Sequence, residues 1–542
     1  MSPTTSYCRA AGVPVTASLA HIVHDPVLDR LEAVVGSERF YRTEEGVDSF
    51  GDPFWPSDDT TRRAGAVVEP ETVEEVQAIV RIAAESGTPV WTFSQGRNNA
   101  YGGPGAVVGG SVLLSLRRMN KILDVDPERA TALVEPGVRF FDMYDHLREQ
   151  GLPLWSSAPD LGWGSIVGNA LDHGVGYTVH GDHASRMCGL EVVLPDGELL
   201  RTGMGAMGRS GAWQAHPRAY GPSADGLFTQ SSLGVVTKMG IWLMPEPECY
   251  LSGTIAVPRK EDLEPLIDAI RPLMLNGTIQ NQPAIGHTLF VASIIDGAPS
   301  RAEVYDGPGP VPEEVVLPLA EQLGIGRWNM RFALYGPQGV VRAKMRRVRE
   351  AVAHIAGVRV AGEEFAGSEV HEKAKDQNAQ VQAGIPSLDL MKALDWYSGP
   401  GGGHLDFSVV TPLRGASATE VHAMMDREMA GTGIDWDPAM ILSGRCMINV
   451  AQLYFHPEDN EKARRVFALA PGLVRSAREL GYGVYRTHVA LMDAAAAAYD
   501  FNDHAQLRLN ERLKDALDPA GVLHPGKQGV WPARYRDALA GA

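Results

Sequence analysis

A chain of 542 residues exceeds what one hydrophobic core usually holds, so two to four domains are expected, and 44% hydrophobic with 21% charged residues is an ordinary globular composition. Lys plus Arg minus Asp plus Glu is 49 − 66 = −17, a field that repels phosphate backbones and anionic membrane surfaces and excludes nucleic acid as an expected partner. No apolar run approaches the length that spans a bilayer, and residues 1–26 carry neither an apolar signal core nor a cleavage site. Cys8, Cys188, Cys249 and Cys446 fit no paired metal or redox spacing, so a reducing cytoplasm is the expected compartment.

In chain order, residues 66–68 predict a short strand. Thr72 with Glu75 predicts a capping box ahead of a helix carrying Val73, Val76, Ile79, Val80 and Ala83, ended by Gly87. A second strand at 90–93 runs into the glycine- and amide-rich loop 94–103, SQGRNNAYGG, which reads as a ligand loop. Strands are expected at 112–116 and 132–135, then a helix at 140–150. The stretch 158–183, APDLGWGSIVGNALDHGVGYTVHGDH, interleaves glycines with Asp160, Asn169, Asp172, Asp182 and His183. Such a backbone passes close to a large ligand and offers uncovered N–H groups, so it reads as a cofactor cradle, with a glycine-rich surface loop as the alternative.

Residues 191–194 and 198–201, joined through Pro195-Asp196-Gly197, predict a hairpin, and 235–244 a further strand. From about Cys249 glycine thins and amphipathic helices are expected at 261–274 and 341–355, with a Pro-rich acidic surface loop at 304–314. This new domain is expected to last to about Tyr485. Residues 494–498 and 507–517 read as helical, and 518–527 as a turn-rich segment of the cradle type.

Four constellations carry possible chemistry. Gly203-Met204-Gly205-Ala206-Met207-Gly208 has dinucleotide-motif spacing but opens no apolar helix, so a plain loop is expected. His180-Gly181-Asp182-His183 offers two imidazoles and a carboxylate but no third good ligand, so hydrogen bonding is expected over a metal site or a metallohydrolase. Residues 399–408, GPGGGHLDFS, deliver His404 after a run without side chains into a strand where His404, Asp406 and Ser408 share a face. That imidazole could be a nucleophile toward an electrophilic cofactor carbon, a base, or a loop end. Tyr485-Arg486-Thr487-His488 joins a phenol to a permanent cation at a domain boundary, either to hold an anion or as packing at a seam.

These segments, together with GLEVVLPDGELLRTGMGAM, FTQSSLGVVTKMGIWLM, YRTHVALMD and LDPAGVLHPGKQGVW, resemble the vanillyl-alcohol oxidase and eugenol oxidase group of 4-phenol-oxidising flavoproteins over nearly all of residues 66–531. The resemblance implies an α+β fold: a two-lobed FAD-binding domain of the vanillyl-alcohol oxidase/p-cresol methylhydroxylase type plus an α/β cap domain. The expected division is 1–25 as an N-terminal extension, 26–249 as the first part of the FAD-binding domain, 250–485 as the cap, and 486–542 completing the FAD-binding domain. It implies FAD bonded covalently to His404. The cofactor would be held by Gln95, Gly96, Arg97, Asn98, Asn99, Pro159, Asp160, Leu161, Gly164, Ser165, Gly168, Asn169, Tyr177, Gly181, His183, Gly234, Val235, Val236, Arg486 and Lys527.

The family's phenolate-binding trio falls on Tyr101, Tyr485 and Arg486, and its acid beside flavin N5 on Asp160; Val175, Asp406 and Ser408 would line the substrate pocket. Stabilising a phenolate makes the para-benzylic C–H hydridic, so hydride passes to N5 and water adds to the resulting p-quinone methide with Asp160 as base. The partners implied are a small phenolic substrate and O2, reduced to H2O2, in a homo-oligomer. A dehydrogenase passing electrons to a cytochrome, and a flavin- or metal-binding protein without turnover, are the competing readings. Two features depart from the family. Asp406 stands where relatives carry glycine or a large apolar group, about 7 Å along the strand from the tether position, and residues 1–25 match nothing.

Overall fold

The computed structural model describes residues 21–540. Cys8 and most of the expected N-terminal extension, residues 1–20, lie outside the described residues.

The first sheet has four strands in the order Phe40–Tyr41, Ala66–Val68, Val112–Ser115, Val90–Phe93, the last three parallel. The helix Val73–Ser86 makes the crossover between two of them and buries Val76, Ile79, Val80, Ile82 and Ala83 against the sheet. Its ends are set locally. The Thr72 side chain accepts from the Glu75 N–H, and Gly87 closes the helix at φ 68°, where a Cβ would be strained. Only half of the predicted capping box forms. The Glu75 carboxylate accepts from the Glu71 N–H and pairs with Arg39 instead of returning to Thr72, because an arginine from another segment offers it a stronger, charge-assisted partner.

The tail joins this layer. Val90 N–H donates to Val522 O and His524 N–H to Val90 O, and Val522 and Leu523 enter the same core. Lys514, fully buried, donates to Asp518, Ser232 O and Leu523 O, so one desolvated cation ties the turn-rich tail down. The helix there is Phe501–Leu517, with non-helical backbone at Asn502, Asp503 and His504, which places its regular part at the predicted 507–517. A second, antiparallel sheet follows the order Ile122–Asp126, Thr131–Val134, Val235–Trp242, Met187–Val193, Leu199–Arg201, and contains the predicted hairpin. Gly203–Ala206 is a single 3-10 turn.

All strands of the third sheet lie between Cys249 and Arg486. It is eight-stranded and antiparallel, in the order Arg359–Ala366, Cys249–Val257, Trp328–Gly336, Ala284–His287, Asp435–Ser443, Cys446–Phe455, Gly403–Pro412, Gly483–Arg486. Period-2 alternation gives it two unlike faces. Ile255, Met330, Ile285 and Met440 oppose one another in register and enter a core with the helices Leu263–Leu275 and Gln338–Val352. Leu405, Phe407 and Leu453 do the same with Gly415–Met429 and Asn460–Glu479. Fully burying one such side chain stabilises by about 1.5–3 kcal/mol, so this face is committed to the core. The opposite face carries Ala256, Asn329, Gly286, Ala439 and Val450, and lines a cavity. The surface loop expected at 304–314 is shorter, since helices Arg301–Val304 and Glu313–Leu323 take up both its ends.

Candidate active site

The cavity, of about 760 Å³, runs between the loop 94–103, the stretch 158–183, the tail and the free face of the eight-stranded sheet. Its lining includes Gln95, Gly96, Arg97, Asn98, Pro159, Asp160, Leu161, Gly164, Ser165, Gly168, Asn169, Val175, Tyr177, Gly234, Val235, Val236 and Lys527 at one end, and Tyr101, Asp406, Tyr485 and Arg486 at the other. Residues that lie more than 300 positions apart are therefore brought to one space.

The first end is built from backbone. Ser165 caps the short helix Ile166–Leu171 by accepting from Gly168 N–H, and a Cβ on Gly168 would come to 2.3 Å from Ser94 Oγ, so that glycine is needed for packing. Gly164 is different. A Cβ there would meet nothing nearer than Leu161 O at 3.8 Å, and its φ suits any residue, so the protein itself does not require the glycine. Thr92 Oγ1, Trp163 Nε1 and His524 Nδ1 are buried without a hydrogen-bond partner among the described residues although all three residues line the cavity, which is costly unless a ligand supplies one. Burial, then Lys527 and Lys514, push His524 well below the usual imidazole pKa, leaving a neutral ring.

Five cations (Arg97, Arg331, Arg359, Arg486, Lys527) and three carboxylates (Asp160, Asp172, Asp406) line the cavity, an excess of positive charge inside a chain of net charge −17. Arg97 and Lys527 face the rings of Trp163 and Trp91 at 5.1 and 5.4 Å and have no carboxylate partner among the described ion pairs. Burial pulls the Lys527 pKa down. Glycine backbone, unpartnered buried donors and acceptors, and two uncompensated cations fit a large dianionic ligand with hydrogen-bonding rings, which FAD is.

At the other end the charges are already paired. Arg486 Nε donates to Asp172 Oδ2 at 2.9 Å and Nη2 to Asn98 Oδ1 at 2.6 Å, and Asn98 Nδ2 donates to the same Asp172 oxygen at 3.0 Å. The guanidinium sits 4.4 Å from the Tyr101 ring centroid, and Tyr101 shares a hydrogen bond of 2.7 Å with Ser408. Burial raises the Tyr101 and Tyr485 pKa values, with Arg486 opposing it at both. Both phenols are therefore hydrogen-bond donors at neutral pH, beside a permanent cation.

Asp160 accepts from Arg331 Nη2 at 2.8 and 2.9 Å and from Gln377 Nε2 at 2.9 Å, and Arg331 lies 4.0 Å over the Tyr177 ring. His404 and Asp406 meet with Nδ1 and Oδ1 2.9 Å apart, off-line for a directed hydrogen bond. The imidazole packs edge-on to Phe54 and parallel to Tyr454, at centroid distances of 5.6 and 6.1 Å.

Four expected site residues stand behind the wall rather than in it. Ser408 is fully buried and acts through Tyr101. His404 reaches the cavity through Asp406, which lines it. His183 donates from Nδ1 to Asn169 Oδ1 at 2.6 Å, and a Cβ on Gly181 would come to 2.2 Å from Gly176 O, so both brace the cradle from outside. Burial lowers His180 and His183 to about 4. The Asn99 side chain lies outside those described.

Arg331, Gln377 and the role of Asp172 were not foreseen. Arg331 had a signal, since in WNMRFALYG it shares Asn329's face and interrupts an apolar strand. Gln377 had none.

Known proteins bear on this geometry. Residues 64–203 match the family model described as an FAD binding domain, and residues 447–528 that of the FAD linked oxidases, C-terminal domain. The chain is 35% identical over 505 residues to the 4-cresol dehydrogenase (hydroxylating) flavoprotein subunit of Pseudomonas putida, covering 93% of this chain and 95% of that one. It is 28% identical over 508 residues to the 1'-carboxy-chondrochloren decarboxylase of Chondromyces crocatus, covering 87% and 92%. The structure of 4-ethylphenol oxidase from Gulosibacter chungangensis superposes with a TM-score of 0.89 at 35% identity, covering 94% of this chain and 98% of that one. That of p-cresol methylhydroxylase with substrate bound superposes with a TM-score of 0.87 at 32% identity, over 94% and 98%. With an FAD-binding domain, a cavity that fits the cofactor and relatives aligned along almost their full length, this chain belongs to the vanillyl-alcohol oxidase/p-cresol methylhydroxylase family of FAD-dependent oxidoreductases.

Proposed function

We propose that this chain oxidises para-substituted phenols carrying a 4-alkyl, 4-allyl or 4-hydroxymethyl group, with FAD bonded to His404 and O2 as the electron acceptor. The observation that carries this reading is the Arg486 guanidinium, held by Asp172 and Asn98 over Tyr101 and beside Tyr485. Residues 26–249 and 486–542 would form the FAD-binding domain and 250–485 the cap.

Arg97, Lys527 and the backbone of 94–98 and 164–169 would hold the cofactor. When bound, FAD accepts two electrons from the substrate as a hydride. Tyr101 and Tyr485 donate hydrogen bonds to the phenol oxygen while Arg486 supplies the charge, and together they favour the phenolate. Asp172 and Asn98 fix the guanidinium so that little reorganisation is needed when charge develops. The oxidised substrate is a p-quinone methide. Asp160, kept in place by Arg331 and Gln377, takes a proton from the water that adds to its benzylic carbon, while His404 anchors the cofactor and Asp406 faces the para substituent.

Anaerobic mixing with a panel of 4-alkyl, 4-allyl and 4-hydroxymethyl phenols, followed by admission of air, tests the reading. Flavin bleaching, rapid return of colour and stoichiometric H2O2 are expected. Bleaching with slow return in air but fast return with a cytochrome would replace O2 as acceptor, and no bleaching with any phenol would refute the function.

A further inference from the structure

Tyr101 and Arg486 come from segments far apart in the chain, the turn Asn99–Tyr101 and the strand Gly483–Arg486. Behind the cavity wall a third segment joins them. Gly102 packs so closely on the residue after His488 that a Cβ there would come to 2.7 Å from Val489 Cγ2. A Cβ on Gly103 would lie 3.4 Å from Pro53 Cδ, and one on Gly105 3.3 Å from Asp52 Cβ. The loop that follows Tyr101 is therefore held between residues 52–53 and Val489.

Asp52 closes this sandwich. Its Oδ2 lies 2.8 Å from His488 Nε2, with 5% of the Asp52 side chain and 1% of that of His488 exposed. The other ring nitrogen fixes the tautomer. His488 Nδ1 accepts from Ala490 N–H at 3.0 Å and caps the turn Val489–Leu491, so the ring proton sits on Nε2 and is donated to Asp52. Burial lowers the His488 pKa, in keeping with a neutral ring. Trp55 stacks on that ring at 5.9 Å and the Arg62 guanidinium lies 4.5 Å from the Trp55 centroid. The second Asp52 oxygen accepts from Phe54 N–H at 3.0 Å, and Phe54 is the ring packed edge-on to His404. Asp52 and His488 both stand outside the cavity lining. The ladder to the neighbouring strand ends at Arg486, opposite Ser408, so the backbone beyond it depends on other anchors, and a charge-assisted bond two residues on is a strong one.

We propose that the buried Asp52–His488 pair is a positioning device for the phenol site, clamping the loop of Tyr101 against the segment of Arg486 and so setting the spacing of the groups that meet the phenol oxygen. The inference rests on the proposed phenol oxidation and adds to it two residues that act through Tyr101 and Arg486. A displacement on the order of 1 Å in such groups costs up to about 100-fold in rate.

Two substitutions separate the clamp from the cap. His488→Asn keeps an acceptor near Nδ1 for Ala490 N–H but falls short of Asp52, whereas His488→Gln places an N–H near Nε2 and retains the bond to Asp52. In the holoenzyme, His488→Asn should slow anaerobic flavin reduction by 4-ethylphenol about tenfold. It should also lower the ionised fraction of bound 4-nitrophenol, read by difference spectrum, since that phenol is coloured as the phenolate and has no benzylic C–H. His488→Gln should restore both readouts to within about threefold of wild type. A pair that served stability alone would lower Tm and leave both unchanged. Wild-type values in His488→Asn, or a His488→Gln protein no better than His488→Asn, overturn the proposal. Where His488→Asn does not fold, Asp52→Asn takes its place, and wild-type values there overturn it equally. A crystal structure of the folded variant gives a readout without any phenol. Arg486 should leave the Tyr101 ring or its bonds to Asp172 and Asn98; all three contacts intact would overturn the clamp even if wild type oxidised no phenol, and their loss would uphold it in that same case.

Discussion

The two ends of the cavity hold their charges differently. At the cradle end Arg97 and Lys527 face aromatic rings and have no carboxylate partner among the described ion pairs, and buried polar atoms of Thr92 and His524 lack partners among the described residues. On the sheet face Arg486 is paired with Asp172 and Arg331 with Asp160. An end with unmet electrostatic and hydrogen-bonding demand is completed by its ligand and gains stability from it. An end whose charges are already satisfied is preorganised, and holds a reacting group in place without being rebuilt by it. A resident cofactor and a transient substrate call for these two solutions.

The largest expected effect crosses that division, because His404 lies on a sheet strand yet serves the cofactor. His404→Ala should abolish flavin that survives trichloroacetic acid precipitation, whereas colour retained in the pellet would place the tether elsewhere. Next comes Arg486→Ala, which removes the cation and leaves Asp172 unpaired. Losing a charge-assisted hydrogen bond of about 1.5–3 kcal/mol should slow anaerobic flavin reduction by about 10- to 150-fold; an unaltered rate would remove Arg486 from phenolate binding.

The contrast itself is sharpened at the cradle end. Lys527→Met should weaken FAD binding about tenfold while leaving the apoprotein as stable or more so, since burial disfavours the ammonium more than the nearby Asp172 charge favours it. Gly164→Ala should likewise lose flavin with no change in apoprotein Tm, because the protein leaves a Cβ room. An apoprotein that melts earlier in either variant would mean that the residue serves packing.

Acid should loosen the wall behind the cradle. His183 falls from 6.5 to about 4 on folding, so between those values the unfolded chain binds the proton and the folded chain does not. Its contribution is present above pH 6.5 and is lost as pH falls toward 4, by on the order of 3 kcal/mol. Apoprotein Tm should drop through that window, less steeply in His183→Asn. The smallest effect is expected at Asp406. Asp406→Gly should lower the preference for a side-chain alcohol over the matching 4-alkylphenol by about threefold, and an unchanged ratio would mean that the carboxylate serves only His404.

Local chemistry determined much of this protein from sequence alone. The helix Val73–Ser86 is marked by its Thr72 cap, apolar spacing and Gly87, the strand Gly403–Pro412 by alternation, and the cradle 158–183 by glycines among polar side chains, because each depends on residues a few positions apart. The tertiary structure alone decided which charges meet. Asp160 finds Arg331 at a separation of 171 residues and Asp172 finds Arg486 at 314. It also decided that Ser408 stands behind Tyr101. Alternation says which residues share a face of a strand but not which strand lies beside it. In a sheet whose neighbours are mostly not consecutive in the chain, that choice is made by packing the opposite face against its helices.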